Sequence, residues 1–273
     1  MCSRLEHLFN CHEAVAGLAE DIDHARQRLK IAGGTGPNVE QNDLSRANIG
    51  GAMLDDLGPI PPLPEREHMR ILLTGPNGFV GARIALAADC IPCPSLRGAR
   101  PEDVQRIVDE TRPEAIIHTA AISDMGACQR DPEGSRHANV EIPLMLAKAA
   151  RGARLVMFST DQVYNGNSNP GPYREDEPIS PVNVYARHKA EMEQLVLELR
   201  PDAVMLRATW MYDMPLYRGD NRGNFLMNII KASLAGKPAA WSKQEYRGVT
   251  YVREAAQKAL EALQLPGGIY NFG

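Results

Sequence analysis

Two groups of residues in this sequence have the types and the spacing to do chemistry. Tyr185 and Lys189 stand four residues apart, so on a helix they share one face about one turn apart. A phenol with a pKa of about 10 is a poor acid or base near neutrality, and a neighbouring ammonium stabilises its ionised form. A tyrosine paired in this way can exchange a proton with a substrate. The same spacing also occurs by chance in many helices, so the pair needs support from the rest of the chain.

The second group is the stretch "LLTGPNGFVG", which places three glycines between a short apolar run and a helical pattern. Gly75 allows a tight turn, Gly78 lets the backbone approach a phosphate, and Gly81 lets the helix pack on the strand. The start of the helix offers free N–H groups and a partial positive charge to a pyrophosphate. A glycine triplet can also be no more than a tight turn, but strand, glycines and helix together are the context that a dinucleotide site requires.

The elements that must position these residues follow from the apolar pattern after Met69. Short apolar runs alternate with helical patterns, which is typical of βαβ units and a parallel sheet. We predict strands at 70–74, 114–121, 154–160, 203–209 and 268–273, helices at 79–88, 101–112 and 180–199, the end of a helix at 142–152, and helices near 222–235 and 251–263. The segment "CIPCPSLRG" predicts a second strand that is short and broken by proline. The fold class predicted is α/β, a Rossmann-type doubly wound parallel sheet.

The first 68 residues have a different character. An amphipathic pattern over 1–30 gives way to a Gly- and Pro-rich stretch without periodicity. We therefore predict an N-terminal extension at 1–68, a helix followed by a linker, and a domain proper at 69–273.

Composition limits the classes of partner. The chain has 273 residues with a formal net charge of −4, which favours neither a nucleic acid nor a membrane surface as partner. No apolar run approaches the roughly 20 residues of a membrane span. The N-terminus carries acids and histidines where a signal peptide needs an apolar stretch, and the five cysteines are too scattered for a disulfide framework. These features predict a cytoplasmic protein.

Several motifs resemble those of a known superfamily. The glycine spacing at 75–81, "STDQVYNG" at 159–166 and "PVNVYARHK" at 181–189 stand in the order and spacing of the extended short-chain dehydrogenases/reductases. The sequence is most similar to the dTDP-4-dehydrorhamnose reductases, and the resemblance runs from residue 69 to residue 273. It implies NAD(P)H-dependent reduction of the 4-keto group of a nucleotide-activated deoxysugar. It also implies a small C-terminal substrate-binding lobe, interleaved with the Rossmann domain and built from about 164–179 and 210–250.

The resemblance also implies roles for single residues. The catalytic set would be Thr160, which holds the carbonyl oxygen, Tyr185, which donates the proton, and Lys189, which tunes the tyrosine and holds the nicotinamide ribose. The implied contacts to the cofactor are Gly75, Asn77, Gly78, Phe79, Val80, Ala120, Ala121, Tyr185 and Lys189. The implied substrate contacts are Asp161, Trp210 and Arg247. Asp161 can equally be a solvated acid and Trp210 a core residue, and no metal site is expected.

Some positions depart from the usual pattern or have a structural explanation. No acid stands at the end of the second strand to hold the ribose 2′-OH of NAD, and Arg83 and Arg97 are nearby, so the sequence favours NADP(H) over NAD(H). Gln162 replaces a tyrosine that the family often has. Arg207 lies within a strand pattern and is expected to pair with an acid, and Asn139 is expected to brace the sheet.

Two other classes of function stay open at this stage. One is a nucleotide-sugar epimerase or dehydratase, although a dehydratase usually has an acid pair beside the threonine, and here the neighbours are Asp161 and Gln162. The other is a non-catalytic NADP-binding subunit like the beta regulatory subunit of methionine adenosyltransferase. Two features keep this hypothesis open, namely the departures from the family pattern in the expected substrate lobe and the end of the sequence at "GIYNFG". The expected partner is a nucleotide sugar, and a homodimer is left open.

Overall fold

The computed structural model describes residues 69–169, 171–214, 224–236 and 248–273. The predicted extension at 1–68 and the candidate residue Arg247 lie outside these residues. In chain order the elements are β1 (Ile71–Thr74), α1 (Phe79–Ala87), β2 (Ile91–Pro92), α2 (Pro101–Thr111), β3 (Ala115–His118), α3 (Met125–Arg130), α4 (Pro132–Arg136), α5 (Ile142–Ala149), β4 (Arg154–Thr160), α6 (Val184–Leu199), β5 (Val204–Ala208), β6 (Trp210–Tyr212), α7 (Phe225–Leu234), β7 (Val249–Tyr251), α8 (Val252–Glu261) and β8 (Gly268–Phe272). A π-helical turn, His137–Glu141, joins α4 to α5, and a 3₁₀ turn, Asp161–Tyr164, follows β4.

Six of the described strands form one parallel sheet in the order β2-β1-β3-β4-β5-β8. Strands β2 and β3 lie on opposite sides of β1, so the winding of the sheet reverses there. In such sheets ligands bind in the crevice outside the carboxyl ends of the strands at the point of reversal. The predicted Rossmann-type parallel sheet is confirmed. Strands β6 and β7 form a separate parallel pair.

The strands are apolar because both faces of the sheet are covered by helices. Alternate strand residues divide between two hydrophobic cores. One core joins Leu72, Ile116, Met157 and Met205 to helices α2, α5 and α6. The other joins Leu73, Ile117, Phe158 and Leu206 to helices α1 and α8. Within the described residues, no helix is both long enough and apolar enough to cross a bilayer.

Helix α6 begins later than its sequence suggests. The sequence predicts a helix over 180–199, but the helix begins at Val184, and Asn183 is the cap. The Asn183 side-chain oxygen accepts a hydrogen bond from the Ala186 N–H at 2.8 Å, as a capping residue does. The backbone of Ser180 is instead bonded to the loop after β4, through Val163 and Gly166, at 2.8 Å each. The extended approach of residues 180–183 therefore ties this loop to the start of α6.

A buried ion pair fixes α6 to the sheet. Glu193 on α6 and Arg207 on β5 are each 3% exposed, and their closest approach is 2.7 Å, from Arg207 Nη2 to Glu193 Oε2. Ser159 on β4 donates its hydroxyl to Glu193 at 2.5 Å, and Arg207 donates to the Tyr164 hydroxyl, also at 2.5 Å. The prediction that Arg207 pairs with an acid is confirmed. Because Tyr164 donates to Asn271 Oδ1 on β8, the pair connects α6, three strands and the loop after β4.

Arg207→Met should destabilise the fold by about 3–5 kcal/mol, because it leaves the buried Glu193 carboxylate without its arginine partner. The control is Arg106→Met, which removes an ion pair whose arginine is 62% exposed and should leave the free energy of unfolding almost unchanged. The measurement is the free energy of unfolding by denaturant titration. The double variant Arg207→Met/Glu193→Leu should recover much of the loss. Equal effects of Arg207→Met and Arg106→Met would contradict this account.

Candidate active site

The glycine turn after β1 has room for glycine alone at its crossing with α1. Gly75 has a φ of +67°, in the left-handed region that favours glycine. A Cβ added at Gly81 would lie 2.1 Å from the Gly75 carbonyl oxygen, so the helix passes directly against the turn. The hydroxyl of Thr119, which directly follows β3, supports the turn by donating to the Thr74 carbonyl oxygen at 2.7 Å. The turn is therefore built by close backbone packing between β1, β3 and α1.

The start of α1 can accept an anion. No side chain caps the helix at Gly78, and its first turn contains no acid. Backbone N–H groups at such a start have no partner within the helix and carry the positive end of the helix dipole. Phe79 and Val80 are half-buried in this turn, and Asn77 is exposed beside it. Ala120 and Ala121 follow β3 at the same edge of the sheet, and a Cβ added at Gly75 would meet the Ala120 N at 3.0 Å.

Thr160 and Tyr185 lie together beyond the end of β4. Thr160 is the last residue of the strand, Tyr185 lies in the first turn of α6, and both side chains are buried. Burial raises the pKa of Tyr185 to about 12, against the opposing effect of a hydrogen bond with the Thr160 hydroxyl. The negative charge of Asp161 also raises the pKa of Tyr185, by less than burial does. The phenol therefore keeps its proton throughout the neutral range, which suits a proton donor and not a base.

Lys189 is fully buried one turn after Tyr185. Its ammonium donates to the Phe158 carbonyl oxygen at 2.5 Å. Burial lowers the pKa of Lys189 to about 8, although the charge of Glu193 opposes this shift. Lysine was expected to lower the pKa of Tyr185, and this expectation is wrong for the arrangement seen here. The reason is that the ammonium is directed to the strand carbonyl, so burial decides the pKa of the phenol.

Two residues near this set were missed by sequence reasoning. Glu193 lies four residues after Lys189, so the same helical spacing that links Tyr185 to Lys189 could have identified it. His118 ends β3, is completely buried and shares a 2.8 Å hydrogen bond between its Nδ1 and the Thr74 hydroxyl. Burial and the charge of Lys189 lower the pKa of His118 to about 3, so it is neutral at physiological pH. Its position within an apolar strand pattern gave no separate signal.

Asn139 braces the loop after β3 and not the sheet itself. Its side chain accepts from the Ile122 N–H at 3.1 Å and donates to the Ile122 carbonyl oxygen at 3.0 Å. It lies in the π-helical turn, a feature that is frequent at functional sites. Cys128 packs under the same loop and against Tyr185. Asn139 therefore has the predicted bracing role, but its hydrogen bonds hold the loop beside Ala120 and Ala121 instead of the sheet.

The predicted substrate contacts are only partly described. Asp161 follows Thr160 directly, and the two side chains approach to 3.4 Å. Trp210 begins β6 and packs on Phe225 of α7, with the ring centroids 5.7 Å apart. Tyr212 contacts Phe225 and Tyr251, so an aromatic group joins β6, β7 and α7. This group forms part of the region expected to be the substrate lobe.

Arg83 has a different role from the one expected. We expected it near the end of β2, where it could favour a 2′-phosphate. Instead its side chain is 3% exposed and its Nε lies 3.0 Å from Asp213 Oδ2, far along the chain. Arg97 is exposed and follows β2, so it alone of the two keeps the position that the prediction needed.

Comparison with known proteins shows which family model, proteins and solved structures the chain resembles. A family model described as the RmlD substrate binding domain matches residues 69–267. A dTDP-4-dehydrorhamnose reductase of Burkholderia thailandensis is 30% identical over 220 residues, covering 75% of this chain and 72% of that protein. The structure of a dTDP-4-dehydrorhamnose reductase from Bacillus anthracis, in complex with NADP, superposes with a TM-score of 0.68 at 25% identity, covering 76% of this chain and 75% of that one. Methionine adenosyltransferase 2 subunit beta of Bos taurus is 30% identical over 206 residues, covering 69% of this chain and 60% of that protein.

The sheet order, the glycine turn and the structural likeness define a Rossmann-type fold of the extended short-chain dehydrogenase/reductase class. Within that class, the chain belongs to the RmlD substrate binding domain family. The resemblance predicted from the motifs is confirmed.

Gly81→Ala should destabilise the protein by about 1–3 kcal/mol, because the added methyl group overlaps the Gly75 carbonyl and forces α1 away from the turn. Gly152→Ala is the matched control, since nothing lies within 4 Å of a Cβ added there. The measurement is the free energy of unfolding of both variants in denaturant. A Gly81→Ala protein as stable as Gly152→Ala would show that the turn can relax.

Proposed function

We propose that the chain reduces the 4-keto group of a nucleotide-activated deoxysugar with a nicotinamide dinucleotide as hydride donor. The observation that carries the proposal is the joint burial of Thr160, at the carboxyl end of β4, and of Tyr185 and Lys189, in the first two turns of α6. A protonated phenol held there can donate to an oxygen on which negative charge develops. The relatives named as dTDP-4-dehydrorhamnose reductases support the same reaction and the same class of substrate.

The described residues fit the proposed cofactor. The uncapped start of α1, with no acid in its first turn, suits a pyrophosphate, and Gly78 keeps side chains away from the backbone there. Ala120 and Ala121 would leave space beside it at the end of β3. Tyr185 and Lys189 would hold the nicotinamide ribose. When bound, the dinucleotide supplies the hydride, and the protein supplies orientation and proton transfer.

The proton transfer follows from the two hydroxyl groups. Thr160 donates a hydrogen bond to the carbonyl oxygen of the sugar and keeps it beside the phenol. Tyr185 gives its proton to that oxygen as the carbon gains hydride, so the carbonyl becomes an alcohol. A high pKa does not prevent this step, because the developing alkoxide is a stronger base than the phenolate.

We propose NADP(H) as the preferred cofactor. The residues after β2, from 93 to 100, include no acid that could hold a free ribose 2′-OH. Arg97 is exposed in this segment and can approach a 2′-phosphate.

A homodimer remains a prediction.

The second candidate is a non-catalytic binding subunit, which the similarity to methionine adenosyltransferase 2 subunit beta favours. Such a protein could keep the fold and the cofactor site without turnover. The reductase is preferred because Thr160, Tyr185 and Lys189 are all buried at the same edge of the sheet. Burying an ammonium and a phenol costs free energy of folding, and a role in catalysis explains why the chain keeps them there. A turnover assay separates the two candidates.

Tyr185→Phe should lower kcat by about 10²–10⁴ and leave NADPH affinity nearly unchanged, because it removes the proton donor and keeps the packed ring. The measurement is NADPH oxidation with a panel of 4-keto nucleotide sugars. Tyr270→Phe is the control, since that hydroxyl donates to the Pro266 carbonyl oxygen before β8. A Tyr185→Phe protein that turns over at the parent rate would refute the mechanism.

NADP⁺ binding should weaken as pH rises from 7 to 9.5. Since the pKa of Lys189 is about 8, its ammonium loses a proton in this interval and becomes a weaker donor. Losing the charge-assisted hydrogen bond corresponds to a change in dissociation constant of about fivefold. Lys189→Met should bind more weakly at pH 7 and show no such dependence, whereas Lys148→Met, at an exposed site on α5, should behave like the parent. An affinity for NADP⁺ that is constant across this interval in the parent would contradict the role of Lys189.

A further inference from the structure

A second buried ion pair joins the cofactor turn to the region beyond β6. Arg83 on α1 and Asp213, which directly follows β6, are 3% and 1% exposed, with Nε and Oδ2 3.0 Å apart. They are 130 residues apart in sequence. A buried pair of this kind adds little stability over apolar residues of similar volume. Stability alone therefore does not explain why the pair is present.

The arginine reaches the first turn of α1. Arg83 Nη1 donates to the Phe79 carbonyl oxygen at 3.2 Å, and its Cζ lies 4.4 Å from the centre of the Phe79 ring. Phe79 is the first residue of the helix, next to Gly78, in the turn proposed to bind the pyrophosphate. Arg83 thus fixes the orientation of this turn from the side of Asp213.

The aspartate reaches two further helices. Its backbone carbonyl oxygen accepts from Asn224 Nδ2 at 2.8 Å, and Asn224 in turn caps α7 by accepting from the Met227 N–H at 3.1 Å. Its carboxylate lies 3.5 Å from the Nε of Arg253, in the first turn of α8. One buried residue therefore connects the start of α1, the cap of α7 and the start of α8.

We propose that Asp213 is a positioning residue that couples cofactor binding at the start of α1 to the order of α7 and α8. An anion at the first turn of α1 restrains Phe79 and Arg83, and Arg83 then restrains Asp213 and the two helices attached to it. By linkage, a ligand that orders α7 strengthens cofactor binding by the same factor. This inference rests on the proposed function, because it requires a dinucleotide at the glycine turn.

The test is amide hydrogen exchange of the full chain with and without NADP⁺, in the parent and in Arg83→Met/Asp213→Leu. The double variant removes both charges, so no unpaired charge stays buried. In the parent, NADP⁺ should slow exchange at the glycine turn and also in α7 and α8. In the double variant the slowing should be confined to the glycine turn, and NADP⁺ affinity should fall about fivefold. Lys258→Gln, an exposed change on α8, should retain the parent's pattern.

The outcomes separate the two proposals. Slowing confined to the glycine turn in the parent, or equal slowing of α7 and α8 in parent and double variant, would overturn the coupling and leave the reductase proposal intact. No slowing at the glycine turn in the parent would remove the cofactor site and the coupling with it. If the double variant does not fold, Arg253→Gln replaces it, since this exposed arginine carries only the branch to α8. That variant should lose the slowing in α8 and keep it in α7, and an unchanged α8 would overturn the proposal.

Discussion

The position of helix α6 is the constraint on which the candidate site depends. Tyr185, Lys189 and Glu193 follow one another at intervals of four residues, so one face of the helix carries all three. Glu193 is fixed by Arg207 from β5 and by Ser159 from β4, and Ser159 immediately precedes Thr160. Any rotation or shift of α6 that broke the ion pair would also separate Tyr185 from Thr160. The register of the helix on the sheet therefore sets the distance between the two hydroxyl groups.

The electrostatics of the site follow from burial. Burial raises the pKa of Tyr185 and lowers that of Lys189, so both shifts oppose the charged forms. Two buried carboxylates, Glu193 and Asp213, each form an ion pair with a buried arginine. Both carboxylates are thus neutralised by arginines, and the phenol stays neutral where the reacting oxygen is proposed to lie. This separation suits proton donation during reduction.

Local patterns predicted most of the fold and named the residues of the candidate site. The strands and helices were readable because apolar runs with both faces buried differ from amphipathic helices, and the glycine turn has a steric requirement that only glycine meets. The predicted start of α6 at residue 180 was wrong, because the backbone of Ser180 bonds to the loop at 163–166 and Asn183 caps the helix instead. The Arg83–Asp213 pair was not predictable, since its partners are 130 residues apart and no local spacing links them. Long-range pairing of charges depends on the packed structure, not on sequence pattern.

In the proposed reaction a bound nicotinamide gives hydride to the keto carbon of a sugar, and this chain gives a proton to the keto oxygen. The most direct measurement uses the full chain, a dTDP-linked 4-keto deoxysugar and NADPH with both C4 hydrogens of the nicotinamide replaced by deuterium, with mass spectrometry of the sugar. We expect one deuterium on the carbon that carried the keto group, and consumption of one NADPH for each alcohol formed. A protein that binds NADPH but leaves the sugar unlabelled, whether unchanged or epimerised, would contradict the account.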